Sequence, residues 1–175
     1  MLKIGSASID NSSDILSAYR SAFPEDEYSD VSQLAIELLS ENTKPEILSL
    51  TAIEGSELVG HVAFSPFYEE GSYQVLGYIL APLAVRPEQQ ARGLGTKLVE
   101  HGIRQLSKEG VSTFLVYGDP KYYNRFGFRE EGVKNFIPPY ELEHPFGWQV
   151  LDRSQRDSVS TKIRCVQALS KPELL

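Results

Sequence analysis

Several features that define whole classes of protein are scarce or absent in this sequence of 175 residues. Its single cysteine, Cys165, cannot form an internal disulfide bond, which indicates a reducing, cytoplasmic environment. The three histidines and this cysteine are too widely spaced for a zinc site, so no metal is expected. No apolar run approaches the ~20 residues of a membrane span, and the polar N-terminus does not resemble a secretory signal. The sequence therefore predicts a cytoplasmic protein with no membrane partner.

Composition and length favour one folded domain over residues 1–175. Hydrophobic residues make up 41% and charged residues 23%, a balance typical of globular proteins. No internal repeat, low-complexity segment or Gly/Ser-rich linker divides the chain.

The charge is acidic overall but unevenly distributed. A net charge of −7 argues against general nucleic-acid binding, which requires a dominant basic surface. Residues 86–129 nevertheless contain eight Lys/Arg and four Asp/Glu, so this segment is +4 and the remainder is −11. Two interpretations stay open: solvated faces of a helix and its flanks, or a site for a local anionic ligand.

Hydrophobic periodicity predicts two helices before the first strand. Ile15, Leu16, Tyr19 and Phe23 recur at helical spacing within residues 12–23, with Asn11 or Ser12 as the cap. A second helix is predicted over residues 30–40, and the pattern then changes to that of strands. We predict strands over 47–54, 58–65, 74–85 and 111–117, and near 148–151 and 161–169, with helices ending at about Lys108 and covering 121–126.

Two local signals refine this prediction of a mixed α/β (α+β) domain. Gly110 is at the expected position just after the helix that ends near Lys108. Pro82 lies inside the long strand 74–85 and cannot donate a ladder hydrogen bond, so it indicates a bulge or a local splaying of the sheet.

The most informative segment is a glycine-containing turn between the strand 74–85 and the following helix. Gly93 and Gly95 allow backbone N–H groups to converge on an anion, and a helix N-terminus adds partial positive charge. Arg92 and Lys97 can add charge-assisted hydrogen bonds, an arrangement that suits a pyrophosphate. The alternative is a glycine-rich helix start without a ligand.

Two common phosphate motifs are excluded by the residues of this turn. A Walker loop requires Gly-x-x-x-x-Gly-Lys-Ser/Thr, which the sequence lacks. A dinucleotide fingerprint requires a third glycine where Leu98 stands, and the acid about 20 residues later is also missing, since Glu109 lies in a helical run.

The surrounding residues point to a known family. Gln90-Ala-Arg-Gly-Leu-Gly95 fits Gln/Arg-x-x-Gly-x-Gly/Ala directly after the strand end Pro82-Leu-Ala-Val-Arg-Pro87, and Tyr122-Tyr-Asn-Arg-Phe-Gly-Phe128 follows about thirty residues later. Together these motifs closely resemble the GNAT superfamily of N-acetyltransferases. The resemblance runs from about Ile47 to Phe128, and the two preceding helices fit it. The segment Gly118–Phe128 is similar to one branch of this superfamily.

The resemblance implies a central, mostly antiparallel sheet of six to seven strands, flanked by helices and splayed where acetyl-CoA binds as co-substrate. It places the pyrophosphate on the backbone of Ala91–Thr96 and the pantetheine arm along Leu83–Val85. It also gives a backbone N–H near Leu83 the role of oxyanion donor. The cofactor residues implied in this way are Leu83, Ala84, Val85, Gln90, Ala91, Arg92, Gly93, Leu94, Gly95, Thr96, Tyr123 and Asn124.

The family motif Tyr-x-x-x-Gly-Phe falls on Tyr123, Gly127 and Phe128, which implies that Tyr123 protonates the departing thiolate. A phenol with a pKa of about 10 can protonate a thiolate whose conjugate acid has a pKa near 8.5. The alternative is that Tyr122 and Tyr123 are packing aromatics. The sequence departs from the family at Tyr117-Gly-Asp-Pro120, where many members carry an asparagine. Asn124 then takes part of that role, or the cofactor tail is held otherwise.

The base that receives the amine proton is not defined by the sequence. Candidates are Glu25, Asp26 and Glu27 after the first helix, His61 on a strand and Asp119 beside the tyrosines. Of these, we assign the role to Glu27. His101 and His144 are weaker candidates, and Cys165 is expected to be buried and inert.

The resemblance thus implies an N-acetyltransferase that works by direct attack of a primary amine in a ternary complex, as a monomer or a homodimer. Polyamines, amino sugars and peptide amines all fit as acceptors. The alternatives are a non-catalytic acyl-CoA-binding or sensing module on the same fold and, less favoured, a nucleotide-binding protein unrelated to CoA.

Overall fold

The computed structural model describes residues 1–157 and 159–174, and over these residues eight strands join in one sheet. The helices are α1 (Ser12–Ala22), α2 (Tyr28–Ser40), α3 (Leu94–Lys108) and the short α4 (Pro120–Tyr123). The strands are β1 (Leu2–Ser6), β2 (Leu48–Glu54), β3 (Glu57–Glu69), β4 (Val75–Val85), β5 (Thr113–Tyr117), β6 (Phe136–Ile137), β7 (Trp148–Asp152) and β8 (Thr161–Arg164).

The main path of the sheet is β1-β2-β3-β4-β5-β7. Every pair along it is antiparallel except β4 and β5, which run parallel. The short strand β8 pairs with the end of β3, where Tyr68 faces Arg164, and also with β6. The predicted fold class, a mixed α/β domain with a mostly antiparallel sheet, is therefore confirmed.

Alternating residues of β3 divide the core into layers. Ala63 and Phe67 pack with Leu34 and Leu38 of α2 on one face of the sheet. Val62 and Phe64 face the other way, toward α3. The alternation follows from the pleat of a strand, in which successive side chains point to opposite faces. Because helices cover both faces of the sheet, the ends of the strands remain as the places where a binding site can form.

The strands β4 and β5 part at their carboxyl ends. Their ladder covers Tyr78–Leu80 and Phe114–Val116, whereas β4 continues alongside β3 to Val85. Pro82 lies at the point of separation. The register against β3 passes from Leu80–Phe64 to Leu83–Val62, so that Ala81 and Pro82 share one facing residue. The bulge and the splaying predicted from Pro82 are both confirmed.

Most elements agree with the sequence prediction, and the differences have identifiable causes. The strand predicted over 161–169 is wrong beyond Arg164, because Gln167–Leu169 forms a 3₁₀ turn. The Glu41 carboxylate accepts the backbone N–H groups of Gln167 at 2.9 Å and Ala168 at 2.8 Å, which caps this turn. The strands β1 and β6 were not predicted, and β3 continues past Ser65 to Glu69.

Among the residues that the structure describes, no helix combines the length and the apolar character needed to cross a membrane.

Candidate functional site

A cleft of about 410 Å³ opens where β4 separates from β5. Its wall is formed by the end of β4, the turn that follows, the first residues of α3 and one side of α4. The residues that line it are Leu83, Val85, Gln89, Gln90, Ala91, Gly93, Leu94, Gly95, Thr96, Tyr122 and Arg125.

The turn before α3 has an unusual backbone. Ala91, with φ of 61°, and Gly93, with φ of 78°, are both left-handed, a conformation that is common for glycine and costly for alanine. A left-handed residue next to a right-handed one turns successive backbone N–H groups toward a common point. The first turn of α3 contains no acidic residue that would neutralise the partial positive charge of the helix N-terminus. The turn therefore has the backbone form expected of an anion site.

Tyr122 and Arg125 close the cleft from α4 and the turn after it. A Cβ atom on Gly95 would lie 2.5 Å from the Tyr122 hydroxyl, so glycine is required for this approach. The Arg125 guanidinium lies 4.4 Å from the centre of the Tyr122 ring, and its Nε donates to the Tyr122 carbonyl at 2.9 Å. Burial raises the pKa of Tyr122, and the positive charge of Arg125 opposes this shift.

Arg92, the arginine predicted to contact the phosphates, is directed elsewhere. Its guanidinium lies 3.4 Å from the Glu54 carboxylate and also donates to the side chain of Gln89. The arginine that lines the cleft is Arg125, which the sequence analysis did not assign, and Gln89 and Tyr122 were missed with it. Tyr122 and Arg125 are three residues apart and so share a helical face, which is the signal that could have identified them.

Tyr123, predicted as the acid and as a cofactor residue, is not among the residues that line the cleft. Its ring packs against Phe128 at 6.0 Å between centroids, and a Cβ atom on Gly118 would lie 2.6 Å from it. Part of its surface remains accessible, yet the surrounding residues enclose the phenol. Burial, followed by the neighbouring Tyr122, raises the pKa of Tyr123 well above its ordinary value. The phenol therefore holds its proton at neutral pH, and the raised pKa makes it a weaker acid than an exposed tyrosine.

The other predicted cofactor residues divide into two groups. Leu83, Val85, Gln90, Ala91, Gly93, Leu94, Gly95 and Thr96 all line the cleft. Ala84 instead packs under α1 beside Tyr19. Asn124 starts a 3₁₀ turn, and its carbonyl oxygen accepts a hydrogen bond from Arg129 at 2.8 Å.

The candidate bases lie in very different surroundings. Glu27 is the N-cap residue of α2, and it is exposed together with Glu25 and Asp26. Asp119 caps α4 by accepting the Lys121 N–H at 2.9 Å, which gives it a structural role.

His61 and Cys165 are both buried. His61 is 0% exposed, and burial lowers its pKa to about 3, so the ring is neutral at physiological pH. Burial also raises the pKa of Cys165 to about 12. The thiol therefore stays protonated, and the prediction of a buried, inert cysteine is confirmed.

Comparison with known proteins gives consistent results. The family model described as acetyltransferase (GNAT) family matches residues 12–128. The uncharacterized N-acetyltransferase YjhQ of Escherichia coli (strain K12) is 35% identical over 143 residues, which are 79% of each chain.

Two solved structures share the fold. The Escherichia coli GNAT family N-acetyltransferase YhbS, in complex with CoA, superposes with a TM-score of 0.80 at 23% identity over 98% of this chain and 92% of its own. A GNAT family acetyltransferase from Brucella melitensis, in complex with acetyl-CoA, gives 0.71 at 26% identity over 97% and 99%.

Proposed function

Since the chain belongs to the acetyltransferase (GNAT) family, we propose that its cleft binds acetyl-CoA and that the protein transfers the acetyl group to a primary amine. One observation carries this proposal: the opening between β4 and β5 leads directly into a left-handed turn at a helix N-terminus. A strand end without a paired strand on one side can form hydrogen bonds with an extended ligand, and the turn beside it suits a pyrophosphate. The solved complexes of YhbS with CoA and of the Brucella protein with acetyl-CoA agree with this assignment.

The residues of the cleft fit such a ligand. The turn Ala91–Thr96 offers backbone N–H groups, and Arg125 adds a positive charge at the cleft wall. Gly95 keeps Tyr122 close to the turn and thereby shapes the wall. The edge of β4 at Leu83–Val85 lies beyond the ladder with β5 and is available to pair with a pantetheine arm. The bound thioester would supply an activated acetyl group at this point.

The chemistry assigned to the chain follows from these positions. A backbone N–H near Leu83 would stabilise the negative charge that develops on the acetyl oxygen. Tyr123 would protonate the departing thiolate, since its buried phenol retains its proton. Glu27 and its acidic neighbours are exposed on the loop between α1 and α2 and would attract a cationic acceptor. A polyamine, an amino sugar and a peptide amine all carry the positive charge that such a loop favours.

A thiol-release assay tests the transfer directly. Acetyl-CoA is incubated with spermidine, glucosamine or a lysine-containing peptide, and the acetylated product is identified by mass spectrometry. We expect CoA to be released in proportion to an N-acetylated amine. The second candidate, a non-catalytic acyl-CoA-binding module, predicts binding of acetyl-CoA without release above the rate in buffer. Cytoplasmic location, a monomeric or homodimeric state and a single domain over residues 1–175 stay predictions.

A further inference from the structure

A chain of three hydrogen-bonded side chains crosses the protein interior beneath α1. The Tyr19 hydroxyl lies 2.7 Å from His61 Nδ1, and the Ser49 hydroxyl lies 2.7 Å from His61 Nε2. Tyr19 and His61 are both 0% exposed, and both ring nitrogens of His61 have partners. Such short bonds in a buried setting fix all three groups in place.

The inner end of this chain lies against β4, the strand that borders the site proposed for acetyl transfer. His61 faces Ala84 across the β3–β4 ladder, and Tyr19 packs with Ala84 under α1. Tyr123, Leu83 and Val85 all pack against one hydrophobic cluster on the opposite face of the sheet. The two phenols therefore approach the same stretch of β4 from its two sides, where β4 and β5 have separated. Burial, and secondly the nearby Tyr123 phenol, raise the pKa of Tyr19 well above its ordinary value.

The outer end of the chain reaches a different cavity. Ser49 is partly exposed and lines a pocket of about 290 Å³ together with Ser6, Ala7, Glu46 and Glu109. The three side chains thus connect the interior beneath Ala84 with a polar opening at the start of β2.

We propose that Ser49, His61 and Tyr19 form a proton relay between Tyr123 and this second cavity. The proposal rests on the acetyl transfer proposed above. Each member can both donate and accept a hydrogen bond, and the neutral imidazole can take a proton on one nitrogen while it releases one from the other. The relay therefore moves a proton without creating a buried charge.

The outward passage removes the proton that the attacking amine must lose. The amine N–H bond breaks as Tyr123 accepts this proton and passes its own to the Tyr19 oxygen through water in the opening between β4 and β5. Tyr19 passes its proton to Nδ1 of His61, and Nε2 of the same ring passes its proton to the Ser49 oxygen. Ser49 then releases its own proton to water in the cavity. His61 is left neutral, in its other tautomer.

The inward passage resets the relay. When the C–S bond breaks, Tyr123 gives its proton to the thiolate, and an S–H bond forms. A proton from water then returns through Ser49, His61 and Tyr19 to Tyr123, which restores the first tautomer. Counted from the neutral amine, one proton leaves and one returns in each turnover. The additional proton of an ammonium acceptor is released to solvent before the attack. The relay residues act through Tyr123, so they are positioning residues for the transfer.

Substitutions at Ser49 test the relay at its partly exposed end. Ser49→Ala removes the outer hydroxyl, and Ser49→Thr retains one. Ser65→Ala is the matched control, since Ser65 lies on the same face of β3 as His61, is 0% exposed and has no hydrogen-bond partner for its hydroxyl within the described residues. Turnover is measured with acetyl-CoA and the most active of spermidine, glucosamine and the lysine peptide.

We expect kcat of Ser49→Ala to fall by about tenfold or more, with KM for acetyl-CoA unchanged and a changed solvent deuterium isotope effect. Ser49→Thr should recover most of kcat, and Ser65→Ala should match the wild-type protein. Equal kcat and isotope effects in Ser49→Ala and Ser65→Ala would overturn the relay and leave the proposed function standing. A wild-type protein that binds acetyl-CoA but acetylates none of the amines would overturn the proposed function and the relay together.

Discussion

At the scale of single residues, the site depends on two adjacent tyrosines with different surroundings. Tyr122 lines the cleft beside the turn, whereas Tyr123 packs against Gly118 and Phe128 at the opening of the sheet. The family spacing assigns the acid to Tyr123, whose buried phenol is protonated at neutral pH. The sequence could supply this spacing, but it could not show which way each ring points, because a four-residue helix has no long apolar face to fix its orientation.

Replacing each tyrosine by phenylalanine separates the two roles. Tyr123→Phe removes the proposed acid, so turnover should fall by about 100-fold or more while the affinity for acetyl-CoA is kept. Tyr122→Phe should keep most of its turnover, since only a hydroxyl at the cleft wall is lost. Steady-state kinetics combined with calorimetry provide both quantities. Full turnover in Tyr123→Phe would contradict the assignment.

Two arginines near the turn offer a matched pair. Arg125 lines the cleft, and Arg92 pairs with Glu54 outside it. Arg125→Gln should weaken acetyl-CoA binding by about tenfold or more, because a charge-assisted hydrogen bond contributes about 1.5–3 kcal/mol. Arg92→Gln should change the dissociation constant by much less, because an exposed ion pair contributes little. A larger loss of acetyl-CoA affinity in Arg92→Gln than in Arg125→Gln would show that the phosphates bind on the other side of the turn.

At the scale of elements, the sequence predicts the long, periodic segments best. The bounds of α1, α2, β2, β4 and α3 agree closely with the prediction, because each carries a clear hydrophobic period. The strand β1 was not predicted because it has only five residues and its partner, β2, is more than forty residues away in the sequence. Leu2 and Ile4 alternate on one face and pack on the core, but so short a run does not distinguish a strand from a loop. The 3₁₀ turn at Gln167 depends on Glu41, a contact that no local pattern reveals.

The packing of α3 on β3 gives a prediction about stability. Gly102 lets α3 approach the Phe64 ring so closely that a Cβ atom at this position would collide with it. Gly102→Ala should therefore lower the free energy of unfolding by about 1–3 kcal/mol, as overpacking does in other cores. Urea denaturation measures this difference. Gly5→Ala is the control, since a Cβ atom there meets nothing within 4 Å. An unchanged or higher free energy of unfolding in Gly102→Ala would mean that α3 can move away from β3 to admit the methyl group at no cost in stability.

At the scale of the whole molecule, one buried histidine links stability to pH. Burial lowers the pKa of His61 to about 3 in the folded protein, whereas an unfolded histidine has a pKa near 6.5. Below about pH 6.5 the unfolded chain binds a proton that the folded protein does not bind. The stabilisation is therefore complete above this pH and is lost progressively as the pH falls toward 3.

This linkage is measured by urea denaturation between pH 7 and pH 5. The contribution of His61 should lower the free energy of unfolding by up to about 1.4 kcal/mol per pH unit in the lower part of this range. His61→Gln removes the titrating ring, so its slope should be shallower whatever its stability at pH 7. Equal slopes in the two proteins would show that His61 does not remain neutral in the folded state.

The most direct measurement is a calorimetric titration of the purified protein with acetyl-CoA, with CoA, ATP and NAD as comparisons. The cleft between β4, the left-handed turn and Arg125 predicts stoichiometric binding of acetyl-CoA and CoA, which share the pantetheine arm and the pyrophosphate. It predicts much weaker binding of ATP and NAD, which lack the arm that would pair with β4. Tight binding of another nucleotide without binding of CoA or acetyl-CoA would contradict the assignment of this cleft.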